Sequence, residues 1–420
     1  MGNAWIIGAY STSFGRKPQQ TVKDLTAEVV AGVLKDAGLD DGLAIEASWF
    51  GNCGMWVDRQ GGIRGQVCLT PLVRQGLFSE RTPTINVEAG CATGALALHG
   101  ASLAVRSGDY KLTLALGVEK TYYPNSPASS VALYEGGIDQ YDPEEWRTAY
   151  RDAEPLTGKR FELGPDRTVF MDTYAMQACW HMRHYGTTQR QLAAAAAKNH
   201  NHAALNSRAH YRFNTTVDAV LADRAVTWPL TRAMCAPITD GAAAALVVSE
   251  SHLLQLPQHI RERAIRIAGI GASGGKYRKL DEEGLSGVAA RHAYTAAGVG
   301  PHDIDVAEVH DATSFCELYQ TEMLGFCAPG QAGAFVESGA TALGGRLPIN
   351  TSGGLVAKGH PVGATGLSMV AELVEQLRGE AGERQVPNAS RALAECGGGV
   401  IGFDEAACVV TILDRGRLSP

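Results

Sequence analysis

The apolar positions of the first hundred residues change period several times. Residues 4–10 are apolar almost throughout, as expected of a strand covered on both faces. Residues 22–37 then carry apolar side chains at helical spacing, up to a stop at Gly38. Residues 47–51 and 84–87 predict short strands, and the second runs into a small-residue helix from Ala92 to Val105. Residues 111–116 predict another strand. Strands alternating with helices in this way predict an α/β fold, a mostly parallel sheet covered by helices.

The same succession returns in the last third of the chain. Residues 263–270 predict a strand, 286–297 a helix ended by Gly298, and 306–309 a strand. A helix around 317–325, a strand at 347–350, a helix over 365–377 behind a glycine-rich loop, and a strand at 407–413 complete it. A local phrase also repeats. Gly38 stands thirteen residues before the strand end at Gly51, and Gly298 thirteen before Asp311. This weak self-similarity points to a duplicated α/β unit.

Residues 120–240 break the rhythm. Residues 121–167, rich in Tyr, Pro, Asp and Glu, predict a long loop excursion. Helices follow near 171–185 and 189–204, and 240–248 re-enters the sheet. An insertion of this length usually serves as a lid or as a substrate- or subunit-binding element. The chain therefore divides into a first half (1–119), an insertion (120–240), a return strand (241–260) and a second half (261–420).

Composition narrows the function. The 420 residues are 45% hydrophobic and 19% charged, ample for a core. A net charge of −7 with scattered basic residues excludes nucleic acid as the expected partner. Nine cysteines without regular spacing do not form a secreted disulfide framework. No apolar run of about 18 residues is present to span a bilayer. The start lacks the basic region of a signal peptide, and Ile6 stands where myristoylation needs Ser or Thr. Residues 417–420 are not a peroxisomal tripeptide. The expected location is cytoplasmic.

Four places can carry chemistry. Cys91 lies between a predicted strand and helix, where the helix dipole favours a thiolate, and Gly90 and Gly94 allow a sharp turn. The bland alternative is a core cysteine. Pro361 holds His360 in extended backbone ahead of a helix, a better place for a general base than a helix face, with a turn cap as the lesser alternative. His310 begins a helix and could donate to an oxyanion, or simply sit beside an Asp cap. Cys396 precedes Gly397, Gly398 and Gly399 at an expected tight turn, as an acid/base or as a structural thiol.

Two patterns mislead. Gly269 to Gly274 reads G-x-G-x-x-G, but the charged stretch 276–284 follows it in place of a helix, so no dinucleotide site is expected. Cys179, His181, His184, His200 and His202 match no zinc spacing, and the polar faces of two helices account for them.

Taken together, Cys91-Ala-Thr, His310-Asp-Ala, Gly359-His-Pro-Val-Gly-Ala-Thr and Cys396-Gly-Gly, with Asp240-Gly-Ala-Ala-Ala, resemble the thiolase superfamily nearly end to end. The nearest branch is that of the sterol-carrier-protein-type and archaeal thiolases. The resemblance implies a five-layered αβαβα fold of two duplicated halves with an inserted loop domain. It implies an acyltransferase that performs Claisen condensation or thiolysis of acyl-CoA thioesters through an acyl group on Cys91. His360 would activate Cys91 and help form one oxyanion hole, with His310 where most thiolases have Asn. Cys396 would move the α-proton. The backbone N–H groups of Cys91 and Gly398 would form the other oxyanion hole. Coenzyme A would enter only as part of the substrate, with no metal or redox cofactor, and the oligomer would be a homodimer or homotetramer. Ala312 and Thr313 depart from the branch's usual Cys and Phe, which leaves the pocket wall there open. A non-thiolytic acyltransferase or specialised condensing enzyme of the same fold, or a silent lipid-binding or scaffold partner, are the alternatives.

Overall fold

Within β1 (Ala4–Ser11) successive side chains turn to opposite faces, Trp5 and Ile7 into one core and Ala4 and Ile6 into another. The computed structural model describes residues 2–164 and 167–416. The C-terminal tetrapeptide, read above as no targeting signal, lies outside the described residues. The first half continues through α1 (Val22–Ala37), β2 (Ala47–Gly51), α2 (Arg64–Arg74), β3 (Thr84–Val87), α3 (Thr93–Ser107) and β4 (Leu112–Glu119). Helix α1 shows why such segments are legible. Thr21 and Asp24 form a capping box, and Gly38 ends the helix at φ 72°, bonding back to the carbonyls of Leu34 and Lys35.

The insertion is more helical than its sequence predicts. It contains α4 (Pro127–Glu135), α5 (Pro143–Thr157), α6 (Val169–Tyr185), α7 (Gln189–Ala204) and α8 (Val217–Leu221), then a hairpin of β5 (Ala225–Thr227) and β6 (Leu230–Thr231). The expected loop over 121–167 thus holds α4 and α5. Pro127 and Pro143 sit in the first helical turn, where a missing N–H costs nothing. The buried stripe of α5 is Trp146, Tyr150, Ala153 and Thr157, too mixed in polarity to stand out as an apolar period. Tyr150 stacks against Phe161 and Phe403 at 4.9 and 5.0 Å between centroids, which anchors the insertion to the second half.

The chain returns through β7 (Gly241–Ser249), α9 (Glu250–Leu253) and α10 (Gln258–Arg263). The second half follows as β8 (Ile265–Gly274), α11 (Leu285–Ala297), β9 (Val306–Glu308), α12 (Ser314–Met323), α13 (Ala332–Glu337), α14 (Thr365–Arg378), β10 (Arg391–Ile401) and β11 (Asp404–Asp414).

Strand order repeats between the two parts of the sheet. The nine-stranded sheet runs β3-β2-β4-β7-β1-β8-β11-β10-β9. In the first half β2 is parallel to β3 and β4, while β4, β7 and β1 are mutually antiparallel neighbours. In the second, β9 is parallel to β10 and bridges Ile349 in parallel on its other side, while β10, β11 and β8 are antiparallel neighbours. Each half therefore repeats the order third, second, fourth, fifth, first. The halves join where β1 meets β8 over two residue pairs, Trp5 with Arg266 and Ile6 with Ile265.

Three expectations change. The sheet is mixed, because β7 and β11 run against both their neighbours, and hydrophobic period carries no information on strand direction. The strand predicted at 347–350 survives only as the Ala307–Ile349 bridge, since Asn350 turns left-handed at φ 58°. Strand β10 went unread because Gly397, Gly398 and Gly399 look like a bend, whereas the glycines continue the strand. By contrast, the G-x-G-x-x-G run lies within β8, and Gly269 and Gly271 are small so that the backbone of α11 can pack against them.

Five layers result: α1 and α2, the first half-sheet, α3 with α14, the second half-sheet, and α11. The outer face of β4 carries Leu112, Leu114 and Leu116, but its inner face carries Ala115 and Gly117. Small inner residues let the central helices come close. A Cβ on Gly117 would collide with the carbonyl oxygen of Gly363, and one on Gly366 would lie 2.6 Å from the amide nitrogen of Ala95. Both obstacles are backbone and cannot rotate away. Gly117→Ala should therefore lower stability by about 1–3 kcal/mol, the usual cost of overpacking. A denaturant midpoint equal to the parent's would refute this account of the central layer.

Candidate active site

Duplication places two helix starts side by side at the centre. Cys91 occupies a 3-10 turn (Gly90–Ala92) between β3 and α3, with Gly90 at φ 53°. His360 follows a single π turn (Gly354–Lys358) and precedes a 3-10 turn (Val362–Ala364) that opens α14. His310 follows β9, and Cys396 lies on β10. These four residues converge. His360 Nε2 lies 3.1 Å from Cys91 Sγ. The reactive atoms of Cys91, His310 and His360 are all within 4.8 Å of one another. Cys396 Sγ donates to the carbonyl oxygen of Cys91 at 3.2 Å.

Hydrogen bonds fix the histidine tautomer. Thr365 Oγ1 donates its single hydrogen to the carbonyl of Pro361 at 3.0 Å, so it must accept from His360 Nδ1–H at 2.7 Å. The lone pair of Nε2 therefore faces the Cys91 thiol. Neither partner is charged at rest. Burial, and then the charge of Glu405, push the Cys91 thiol up to about 12, although N–H groups of Gly399 and of Cys91 itself pull it down. Burial and the neighbouring His310 hold His360 well below the ordinary histidine value. The thiolate expected from the helix dipole is thus not the resting state. Cys91 sits in the 3-10 turn that leads into α3, and burial works against the dipole there.

His310 and Cys396 share this dry setting. Burial lowers His310 to about 4, so its ring is neutral, and its Nε2 has no hydrogen-bond partner among the described residues. An unpaired buried polar atom costs about 1–3 kcal/mol, which an oxygen entering the site would offset. The backbone of His310 is held by Glu395 Oε2 at 3.0 Å. Asp311 accepts from Leu355 N at 2.6 Å and Asn199 Nδ2 at 2.8 Å, tying the loop to the His360 segment and to α7. Burial and Glu395 raise the Cys396 thiol well above its usual value. Gly398 lies flat against the Cys91 turn. A Cβ there would collide with Ala89 O and Ala92 N, and the strand N–H that bonds the Cys91 sulfur is that of Gly399, one residue further on.

Sequence reasoning missed Glu119, which closes β4. Its carboxylate is buried and accepts four N–H bonds: Asn52 Nδ2 at 2.8 Å, Cys53 N at 2.9 Å, Gly54 N at 2.9 Å and Gly363 N at 3.0 Å. Gly363 is three residues beyond His360, so Glu119 clamps the His360 segment to the first half. Burial raises Glu119 to about 7 against the pull of those backbone donors. A charge at a strand end is ordinarily solvated, so no sequence signal marked it.

The other cysteine and histidines do not assemble. His181 bonds Thr187 and Glu322, His200 the carbonyl of Ala233, His202 that of Asn350, and Cys179 that of Trp228. Only His184 is solvent-facing, stacked on Trp180. The expected polar faces hold for that residue alone; the rest are buried with separate partners.

Two cavities open on Cys91. The larger, about 280 Å³, is lined by Arg16, Arg232, Tyr211, Ala312 and His360. The smaller, about 220 Å³, is lined by Trp56, Arg64, Leu133 and Gly399. Tyr134 and Phe170 border both.

A duplicated five-layer fold with a cysteine and histidine meeting between its halves defines an acyl-transferring enzyme class. The family model for the thiolase N-terminal domain matches residues 4–220, and the thiolase C-terminal domain-like model matches 283–413. The chain belongs to the thiolase family and is a thiolase-type acyltransferase. It is 34% identical to an acetyl-CoA acetyltransferase of Methanothermobacter thermautotrophicus over 96% of this chain and 98% of that one. It is 36% identical to sterol carrier protein 2 of Rattus norvegicus over 77% of this chain and 60% of that protein. A benzoylsuccinyl-CoA thiolase subunit, BbsB of Thauera aromatica, is 30% identical over 91% of both chains. The fold matches that of an Ltp2-ChsH2(DUF35) aldolase with a TM-score of 0.76 at 24% identity, over 100% of this chain and 99% of that one. Human mitochondrial 3-ketoacyl-CoA thiolase matches at 0.69 and 17%, over 98% of both chains. No helix among the described residues is long and apolar enough to cross a membrane.

Two outcomes follow from the site's electrostatics. Alkylation of Cys91 in the free enzyme should rise about tenfold per pH unit from pH 7 to 10, because its thiolate is scarce until about 12. A plateau near pH 8 would contradict the neutral pair. Glu119→Gln sets an amide NH2 against N–H donors and should cut acyl transfer by about 10–100-fold, the scale on which misplaced catalytic groups lose rate. Parent-like turnover would remove Glu119 from the positioning of His360.

Proposed function

We propose that this enzyme exchanges acyl groups between coenzyme A thioesters, by thiolysis of β-ketoacyl-CoA and the reverse Claisen condensation, with Cys91 as acyl carrier. The 3.1 Å contact between Cys91 Sγ and the free lone pair of His360 carries this reading. In cleavage, His360 takes the thiol proton as the sulfur attacks the β-carbonyl, and N–H groups of Cys91 and of the glycine strand at Gly398 and Gly399 receive the oxyanion. The carbon–carbon bond then breaks, leaving the acyl group on Cys91 and an enolate whose oxygen His310 stabilises. Cys396, a neutral thiol at rest, gives its proton to the enolate carbon. Incoming coenzyme A returns a proton to Cys396 and attacks the acyl carbon, and Cys91 leaves with the proton held on His360. Condensation runs the same steps backward. Thiols, the His360 imidazole and N–H donors suffice for every step, so the reading needs no metal or redox cofactor.

Arg16 and Arg232 in the larger cavity support entry of the coenzyme's phosphates there, beneath an insertion at 120–240 acting as lid and wall. Strand β3 ends the sheet with Ile85 38% exposed, an edge that supports a homodimer or a homotetramer. Nine unpaired cysteines fit the reducing cytoplasm.

Intact-protein mass spectrometry after incubation with acetyl-CoA or acetoacetyl-CoA tests the reading. The parent should gain one acetyl group, and Cys91→Ala should gain none. Cys396→Ala should still be acylated but lose at least a thousandfold in thiolysis. An unlabelled parent, or full thiolysis by Cys396→Ala, would overturn the corresponding role.

A further inference from the structure

The smaller cavity has a composition that an acetyl group does not need. Leu133, Tyr134, Phe170 and Trp56 give it a partly apolar lining, which Cys91, Gly399, Arg64 and Glu88 share. At about 220 Å³ it exceeds what two acyl carbons fill. Arg64 is partly buried, and Nη1 donates to the carbonyl of Asn52. Among the described residues no carboxylate forms an ion pair with it.

Neither nearby acid is ion-paired with Arg64 among the described residues. Glu88, which also lines the cavity, accepts from Gly90 N at 2.7 Å. Glu119 feels the Arg64 charge, but its oxygens already accept the four N–H bonds described above. A guanidinium carries five N–H donors arranged to match a carboxylate. Beside apolar walls, in a space leading to the nucleophile, such a fork discriminates a charged chain end from a neutral one.

We propose that this cavity is an acyl subsite in which Arg64 binds a carboxylate, so that the preferred substrates are coenzyme A thioesters of dicarboxylic acyl groups. The proposal rests on Cys91 being the acyl carrier. Coenzyme A then occupies the larger cavity, and the acyl chain crosses between Tyr134 and Phe170 into the smaller one. Apolar walls hold the methylenes while Arg64 holds the far end.

Acylation of Cys91 by adipyl-CoA and by hexanoyl-CoA, equal in chain length, decides the matter when followed by intact-protein mass spectrometry. The parent should acylate at least tenfold faster with adipyl-CoA. Arg64→Met should lower that ratio at least tenfold, and Arg64→Lys should fall between. Each ratio is taken within one protein, so loss of folded material cancels. Equal rates in the parent, or an unchanged ratio in Arg64→Met, would overturn the subsite. Labelling by acetyl-CoA without labelling by either six-carbon thioester would also overturn it, with Cys91 unaffected. No adduct from any thioester would instead remove the acyl-carrier reading and the subsite with it.

Discussion

The structure depends on how closely two backbones approach at its centre. Helices α3 and α14 descend from different halves, yet Gly94 and Gly117 pack on the carbonyl of Gly363, and Gly366 packs on Ala95. Side chains larger than hydrogen at these points would push the central helices apart. Because both helix starts carry reactive residues, the same contacts set the distance between Cys91 and His360, which lie 269 positions apart in sequence. Glu119 then locks that distance by accepting from Gly363 on one side of the junction and from Cys53 and Gly54 on the other. Packing and catalysis thus share one constraint, and neither half could hold the site alone.

Exclusion of water governs the chemistry that follows. Burial leaves the thiols of Cys91 and Cys396 protonated and the rings of His310 and His360 neutral. An ion pair stored in such a place would carry a large desolvation cost. In the proposed reaction the site would keep a neutral hydrogen-bonded pair and separate charge only as the sulfur attacks, when backbone N–H groups and His310 Nε2 would receive the oxygen's charge. Reactivity therefore comes from position, which explains why so many second contacts, Thr365 on His360 and Glu395 on the His310 backbone among them, serve orientation.

Much of this was legible in the chain, and the misses share physical causes. Helix stops at Gly38 and Gly298 and the apolar runs of β1 and β7 are local signals, so the duplicated α/β rhythm could be read directly. Cys91, His360 and Cys396 were visible because each stands beside glycines, and His310 because it follows an apolar strand end ahead of an Asp. Direction of β7 and β11, and the existence of β10, were not visible, since pairing is decided by distant chain. Helix α5 was hidden because it buries aromatic and polar residues against the second half, and α4 because it buries only Ser130 and Leu133, so neither shows a regular apolar stripe. Glu119, Arg64 and the Cys91 protonation state depend on neighbours far along the sequence, and no local pattern carries that information.

Duplication also explains the site's asymmetry. In the first half a full third strand, β3, delivers Cys91 to α3. In the second the equivalent strand has shrunk to the Ile349 bridge, and the chain from Asn350 onward turns left-handed at Asn350, Gly353 and Gly354 before a π turn. Asn350 Oδ1 accepts from Val309 N at 2.8 Å, and its Nδ2 donates to Glu317 at 3.0 Å, so the lost strand is replaced by side-chain bonds to the His310 loop. That exchange frees the segment leading to His360 from the sheet's pleat. A strict repeat would place His360 where Cys91 stands in its own half; the irregular approach carries the imidazole far enough toward the junction for Nε2 to face the sulfur. One half presents Cys91 behind a regular strand, and the other brings His360 against it through an irregular segment.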